Sequence, residues 1–363
     1  METHVEQLCQ QLKEEVELKV VVASEDQEEK TEILNGIPVH RLRTTLNVLG
    51  APICPALPKV IRNFDADIVH VHTPHPPALL AYLVSGCRSR LVCTYHSDIV
   101  RQRFFGPLIG PVQDLVFRRA GAIIVSSPNL IIGSSVLSRH RERCVIIPFG
   151  LNYSRFGRSN TNIIDDIRHR YGSPLILTVG RLVYYKGFEF LIRAMGKLPM
   201  AAVLLIIGEG PLRPTLEAEI AALGLSDRVH LIGNVTDTTA YYQACDLFVL
   251  PSVARSEAFG IVQLEAMACG KAIVNTMLDG SGVPFVSRNG ESGLTVAPAD
   301  VDALAAAVTR LLSDDTLRQR LGAAGRMRVR QEFTSQRMAD LTLSTYRQVI
   351  ANQEHRTRHN RLS

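Results

Sequence analysis

Glu257 and Glu265 stand eight positions apart in the run SEAFGIVQLEAMACG, one acid ahead of a mostly apolar helical stretch and one inside it. Eight residues at the helical rise span about 12 Å. Carboxylates that far apart cannot serve one reacting atom, but they can hold two ends of one elongated polar ligand. Phe259, Gly260 and Ile261 lie between them, and backbone N–H groups at a helix start suit a phosphate. The plainer alternatives are that Glu257 complements the helix dipole and that Glu265 is a surface helix residue.

A second group of candidates sits in GRLVYYKGFEFLI. Gly180 and Arg181 leave the strand PLILTVG, and Lys186 precedes Gly187 and a helix. Two cations at a helix N-terminus suit a doubly charged group such as a diphosphate. The same loop also fits a solvated turn with two surface cations. The following turn, IIGEGP, offers Gly208 and Gly210 for close backbone approach to a ligand.

The first half carries DIVHVHTPHP, with His70, His72 and His75, and RLVCTYHSD, ending at His96. His70 and His72 share a strand face, which invites a zinc reading, but no clear further ligands accompany them. His70 reads as a core histidine, while His72 and His96 fall at strand ends. Arg101, Arg103, Arg118, Arg119, Arg139, Arg141, Arg143 and Arg155, with Phe104, Phe105, Leu108 and Ile109 among them, suit an anionic membrane surface. A solvated helix face is the plainer alternative and the one favoured.

These residues need a scaffold that places strand ends together. The chain has 363 residues, 46% of them hydrophobic, enough for two domains of ordinary size. Its net charge of +5 is dispersed, which fits anionic small ligands and argues against nucleic acid. The seven cysteines lack CxxC spacing and read as reduced, pointing to a cytoplasmic protein. No apolar run is long enough to span a bilayer, and the amphipathic, acidic start lacks the apolar core of a signal peptide.

Strand-length apolar runs alternate with helical patterns, as in parallel α/β sheets. Strands are expected at 18–24, 39–44, 67–72, 90–96, 121–127 and 143–149. After a polar stretch from Asn152 to Arg170, more are expected at 174–180, 201–208, 228–234, 246–252, 271–276 and 293–298. Two doubly wound domains follow, 1–155 and 165–334. A last helix is expected over 335–350 and a frayed tail over 351–363. In such sheets ligands sit beyond the carboxyl ends of the strands, and a cleft between domains is the expected site.

The pair Glu257 and Glu265 within SEAFGIVQLEAMACGKAIV resembles the paired-glutamate signature of retaining glycosyltransferases of family 4. GRLVYYKG, IIGEGP, RVHLIGNV, ACDLFVLPS, SGVPFVSRNGESGLTV and IPFGLNYSRF fit that family in order and spacing. The resemblance implies a GT-B fold, two Rossmann-like domains facing across a cleft, with the last helix crossing back to the first domain. It implies transfer of a hexosyl group, mannosyl being one candidate, from a GDP- or UDP-sugar to a glycan or lipid-linked acceptor. The setting would be cell-surface polysaccharide or glycolipid synthesis, at the inner face of the cytoplasmic membrane.

By that resemblance Glu265 would bond the ribose hydroxyls, and Arg181 and Lys186 would neutralise the diphosphate. Glu257 would face the sugar, with Phe259, Gly260 and Ile261 lending backbone contacts. His96 would bond the sugar or position the acceptor. No metal and no cofactor are implied, and no DxD-type pair follows a strand; the two cations would stabilise the leaving group instead. The chain opens at METHVEQLCQQL, whereas the family begins with an apolar strand and a Gly-Gly turn ahead of such a helix. The expectation is an upstream start or a truncated copy, a first domain lacking a strand, and, as the alternative function, an inactive sugar-nucleotide-binding homologue. A dinucleotide-dependent oxidoreductase is disfavoured, since no strand–GxGxxG–helix opening appears.

Overall fold

A computed structural model of the chain describes residues 2–24, 28–48, 51–97, 106–157 and 160–362. The chain divides into two compact units, Met1–Gly150 with Ser335–Ser363, and Leu151–Thr334.

The first unit opens with the helix Glu2–Leu12 and then β1 (Val20–Ala23). β2 (Lys30–Leu34) and β3 (Ile37–Leu42) form an antiparallel hairpin beside β1, in the order β1-β3-β2. Sequence reading missed β2, although its signal was present. Asn35 and Gly36 join the two strands with φ of 52° and 82°, the left-handed pair that two-residue hairpin turns require. A small hairpin follows, β4 (Leu46–Val48) with β5 (Ala51–Ile53).

The site-bearing sheet of this unit is parallel and ordered β6-β7-β8-β9: Ile68–Thr73, Arg90–Tyr95, Ala122–Val125 and Cys144–Ile146. Among the described residues, β1 and β6 end their sheets, each pairing with one neighbour only. Leu8 and Leu12 of the first helix pack with Val92, Ile124, Met338 and Val349. The last helix therefore belongs to this core. Gly121 lets it approach, since a Cβ there would lie 2.5 Å from Val349 Cγ1. That helix runs Ser335–Leu362, past the end expected at residue 350. The polar tail carries three arginines and holds no Gly or Pro, so polarity did not end the helix.

The second unit starts earlier than its apolar pattern. The polar stretch after Asn152 is no bare linker: it forms the helices Tyr153–Phe156 and Thr161–Tyr171, the latter capped by the Asn160 side chain. Six parallel strands follow: β10 (Leu175–Val179), β11 (Val203–Ile207), β12 (Val229–Gly233), β13 (Leu247–Leu250), β14 (Ala272–Thr276) and β15 (Gly293–Val296). Their order is β12-β11-β10-β13-β14-β15, with every pair parallel. The winding direction reverses between β10 and β13. Helix faces carrying Leu191, Ile192, Leu216, Leu304, Val308 and Leu311 complete the core against Ile176, Leu204, Leu247 and Val274.

Candidate active site

The reversal of strand order fixes where a ligand can enter the second unit. Crossovers leave β10 and β13 in opposite directions, opening a crevice at their carboxyl ends. Both loops singled out from the sequence emerge there.

After β10 the chain passes Gly180 and Arg181 into the 3-10 turn Tyr184–Lys186, and Gly187 (φ 64°) starts the helix Phe188–Met195. After β13 it passes Ser252 and Glu257 to Gly260 (φ 76°), which caps the helix Ile261–Ala268. The loops are stitched by Val253 N–H donating to the Tyr185 carbonyl at 2.8 Å. Lys186 Nζ lies 2.6 Å from Glu257 Oε2, and both side chains are about one-tenth exposed. Ser252 Oγ donates to the same Glu257 oxygen at 3.4 Å, and Ser281 Oγ donates to the Glu257 carbonyl. Glu257 is thus the partner of a buried ammonium, not a solvated complement to a helix dipole.

Arg181, by contrast, is exposed. Lys186 reaches its place across Gly180, where a Cβ would lie 2.9 Å from Lys186 Cε. Gly208 works differently from the sequence expectation. Its φ is 137°, and a Cβ would meet the Gly180 carbonyl oxygen at 2.1 Å; at Gly210 one would meet the Leu182 carbonyl at 2.4 Å. These glycines admit the neighbouring backbone, which holds the Gly180–Lys186 loop in place.

Glu265 lies in the second turn of its helix, and Tyr242 Oη donates to its Oε2 at 2.7 Å. Burial raises the Glu265 carboxyl above its usual range, opposed by that hydrogen bond. Tyr242 is fully buried, and its hydroxyl is pushed well above the usual phenol value by burial and by Glu265. Glu265 is therefore a held, half-buried acid rather than a surface helix residue. Phe259 is buried with its ring edge-on to Phe333, while Ile261 is exposed. The short helix behind Gly260 leaves its first N–H groups without intrahelical acceptors.

Sequence reasoning missed Ser252, Ser281 and Tyr242. Ser252 ended the quoted strand and could have been noticed. Tyr242 and Ser281 reach the acids across other elements, which no local pattern reveals.

In the first unit His96 follows β7, its backbone N–H donating to the Thr73 carbonyl at 2.9 Å. Its Nε2 shares a proton with His72 Nδ1 at 3.0 Å. Burial, with His4 nearby, pushes the His96 imidazole down to about 3, so it is neutral at ordinary pH. His70 is a core histidine with both nitrogens engaged, Nδ1 with Tyr346 Oη at 2.6 Å and Nε2 with Thr94 Oγ1 at 2.7 Å.

Arg118 and Arg139 both pair with Asp114, Arg143 donates to the Ala120 carbonyl, and Arg155 belongs to the second unit, where it pairs with Asp237. Arg101, Arg103, Phe104 and Phe105, and the side chains of Leu108 and Ile109, lie outside the described residues. Among those described, no helix is long and apolar enough to cross a membrane.

Residues 1–155 match the family model for glycosyltransferase family 4, and residues 159–328 match that for glycosyl transferases group 1. The chain is 33% identical to the D-rhamnosyltransferase WbpZ of Pseudomonas aeruginosa over 87% of its length and 83% of the relative's. It is 32% identical to the O-antigen chain mannosyltransferase C of Escherichia coli, over 85% and 83%. Among solved structures, sucrose-phosphate synthase from Thermosynechococcus elongatus superposes with a TM-score of 0.79 at 25% identity, covering 96% of this chain and 93% of that one.

Proposed function

This chain is a glycosyltransferase of family 4 with the GT-B fold, and from that premise we propose that its second unit binds a nucleoside diphosphate sugar and that the enzyme transfers the hexosyl group with retention. The observation that carries the reading is the buried Lys186–Glu257 pair where the strand order reverses. A buried ion pair costs desolvation and is poor evidence of stability alone. Placed at the mouth of a nucleotide-binding sheet, it keeps an ammonium and a carboxylate ready for a ligand with an anionic and a hydroxyl-rich part.

In this reading Lys186, with Arg181 and the N-terminus of the helix Phe188–Met195, neutralises the diphosphate. Glu257 bonds hydroxyls of the transferred sugar, and N–H groups at Phe259, Gly260 and Ile261 hold phosphate oxygens. Glu265, oriented by Tyr242, accepts from the ribose hydroxyls. His96 positions the acceptor.

The bond from the sugar's anomeric carbon to the diphosphate breaks while the acceptor oxygen bonds the same carbon from the same face. The acceptor proton passes to the departing phosphate oxygen. Fixed cations stabilise charge on that oxygen in a site where they need no reorganisation.

The two named relatives transfer rhamnose and mannose, one of them to an O-antigen chain. That supports mannose or a related hexose as the transferred sugar and a glycan or lipid-linked acceptor of the cell surface, reached from the cytoplasmic side; we assign the donor to the GDP-sugars. Thermal unfolding with a panel of GDP- and UDP-sugars tests this, since a ligand of the native state raises the midpoint. The expected outcome is stabilisation by GDP-mannose or a related GDP-sugar, and transfer products that keep the donor's anomeric configuration. No stabilisation by any sugar nucleotide, or an inverted product, would overturn it.

A further inference from the structure

We propose that His4, His72 and His96 form a binding site for a divalent transition-metal ion of the zinc class. One ring nitrogen from each can be chosen so that all lie within 4.8 Å of one another. His72 Nδ1 and His96 Nε2 are already 3.0 Å apart. Two nitrogens each bound to one Zn2+ are roughly 3–3.4 Å apart, given Zn–N bonds of about 2.0–2.1 Å. His4 completes the set from the helix Glu2–Leu12, its ring 5.2 Å from that of His96 and 5.7 Å from that of His72. His4 Nδ1 is buried and has no hydrogen-bond partner among the described residues. An unsatisfied buried ring nitrogen is costly and needs an explanation; a lone pair for a metal is one.

The surroundings hold the rings in place. His70 stacks on His72 at 4.5 Å and is itself fixed by Tyr346 and Thr94. Phe149 packs against both His4 and His96. Three imidazoles with no carboxylate in the set favour zinc, nickel or copper over magnesium, calcium or manganese. Three protein ligands also leave a coordination position for water or a substrate oxygen. The sequence set zinc aside because His70 beside His72 showed no further ligands; in this proposal the third ligand, His4, comes from the helix Glu2–Leu12, 68 positions before His72.

Calorimetric titration of Zn2+ into the full, chelator-stripped chain tests the site, with His4→Gln, His72→Gln and the exposed His169→Gln as control. Binding of one ion per chain is expected, weakened by roughly 10–100-fold or more in the first two variants, since even outer-shell losses cost that much, and unchanged in the control. X-ray absorption of the wild-type chain carrying one Zn2+ should count three imidazole nitrogens and no sulfur, and decides the matter if a variant fails to fold. No binding, equal affinity in all variants, or sulfur from the free cysteines in the zinc shell would overturn the proposal.

Discussion

The Lys186 ammonium sits 2.6 Å from the Glu257 carboxylate, joining the loop after one sheet strand to the loop after its neighbour. The pair ties together two segments that a donor's phosphates and sugar would otherwise have to organise. It also means that neither group is spare: a ligand must offer Lys186 an anion at least as good as Glu257.

Glu257→Gln leaves that ammonium buried without its counter-charge. Breaking a buried pair costs about 3–5 kcal/mol, so the variant should unfold at a lower denaturant midpoint than wild type. A nucleoside diphosphate supplies the missing charge. GDP or UDP is therefore expected to raise the melting temperature of Glu257→Gln more than that of wild type. Equal shifts would separate Lys186 from the phosphates.

Glu265 sets stability against function. Its folded pKa is raised by burial. The folded state therefore holds this proton more tightly than the unfolded chain, and the resulting stability is present below the ordinary carboxyl range and lost as pH rises through the raised value. Glu265→Gln should remove this dependence, making the ligand-free chain more stable at neutral pH while weakening donor binding. Denaturant melts across pH 4–8, paired with donor titrations, read both; a variant less stable at neutral pH would contradict the account.

Two glycines separate the donor loop from its support. Gly180→Ala places a methyl against the movable end of Lys186, and Gly208→Ala drives one into the Gly180 carbonyl at a φ that disfavours side chains. Gly180→Ala is expected to keep near-native melting but lose donor affinity. Gly208→Ala should lower stability by more than 1 kcal/mol, the scale at which strained backbone begins to tell. Melting and donor titration of both variants check the split; equal melting would remove the proposed distinction.

The alternation of apolar runs and helices was enough to place every strand of the second unit, because buried parallel strands are continuous apolar segments. It failed where structure is polar. The hairpin Lys30–Leu42 is mostly exposed on β2, its Asn35-Gly36 turn being the one overlooked cue, and the helix Thr161–Tyr171 buries only Ile167. Lys186 and Glu257 stood out in the sequence because they lie in loops after strands, and Glu265 because it is an acid inside a mostly apolar helix. Their partners were not. The Lys186–Glu257 contact, the Tyr242–Glu265 bond and the meeting of His4 with His96 join residues from separate elements, and only the folded sheets bring them together.

In the proposed function the second unit holds a nucleoside diphosphate sugar through Lys186 and Glu265. Calorimetric titration of GDP-mannose, and in parallel UDP-glucose, into the wild-type chain, Lys186→Ala and Glu265→Ala tests it most directly. Saturable one-site binding of at least one donor to wild type is expected. Affinity should be lower by about tenfold or more in each variant, a loss of about 1.4 kcal/mol, with helix content unchanged by circular dichroism. Wild-type affinity in both variants, or no donor binding by the wild-type chain, would contradict it.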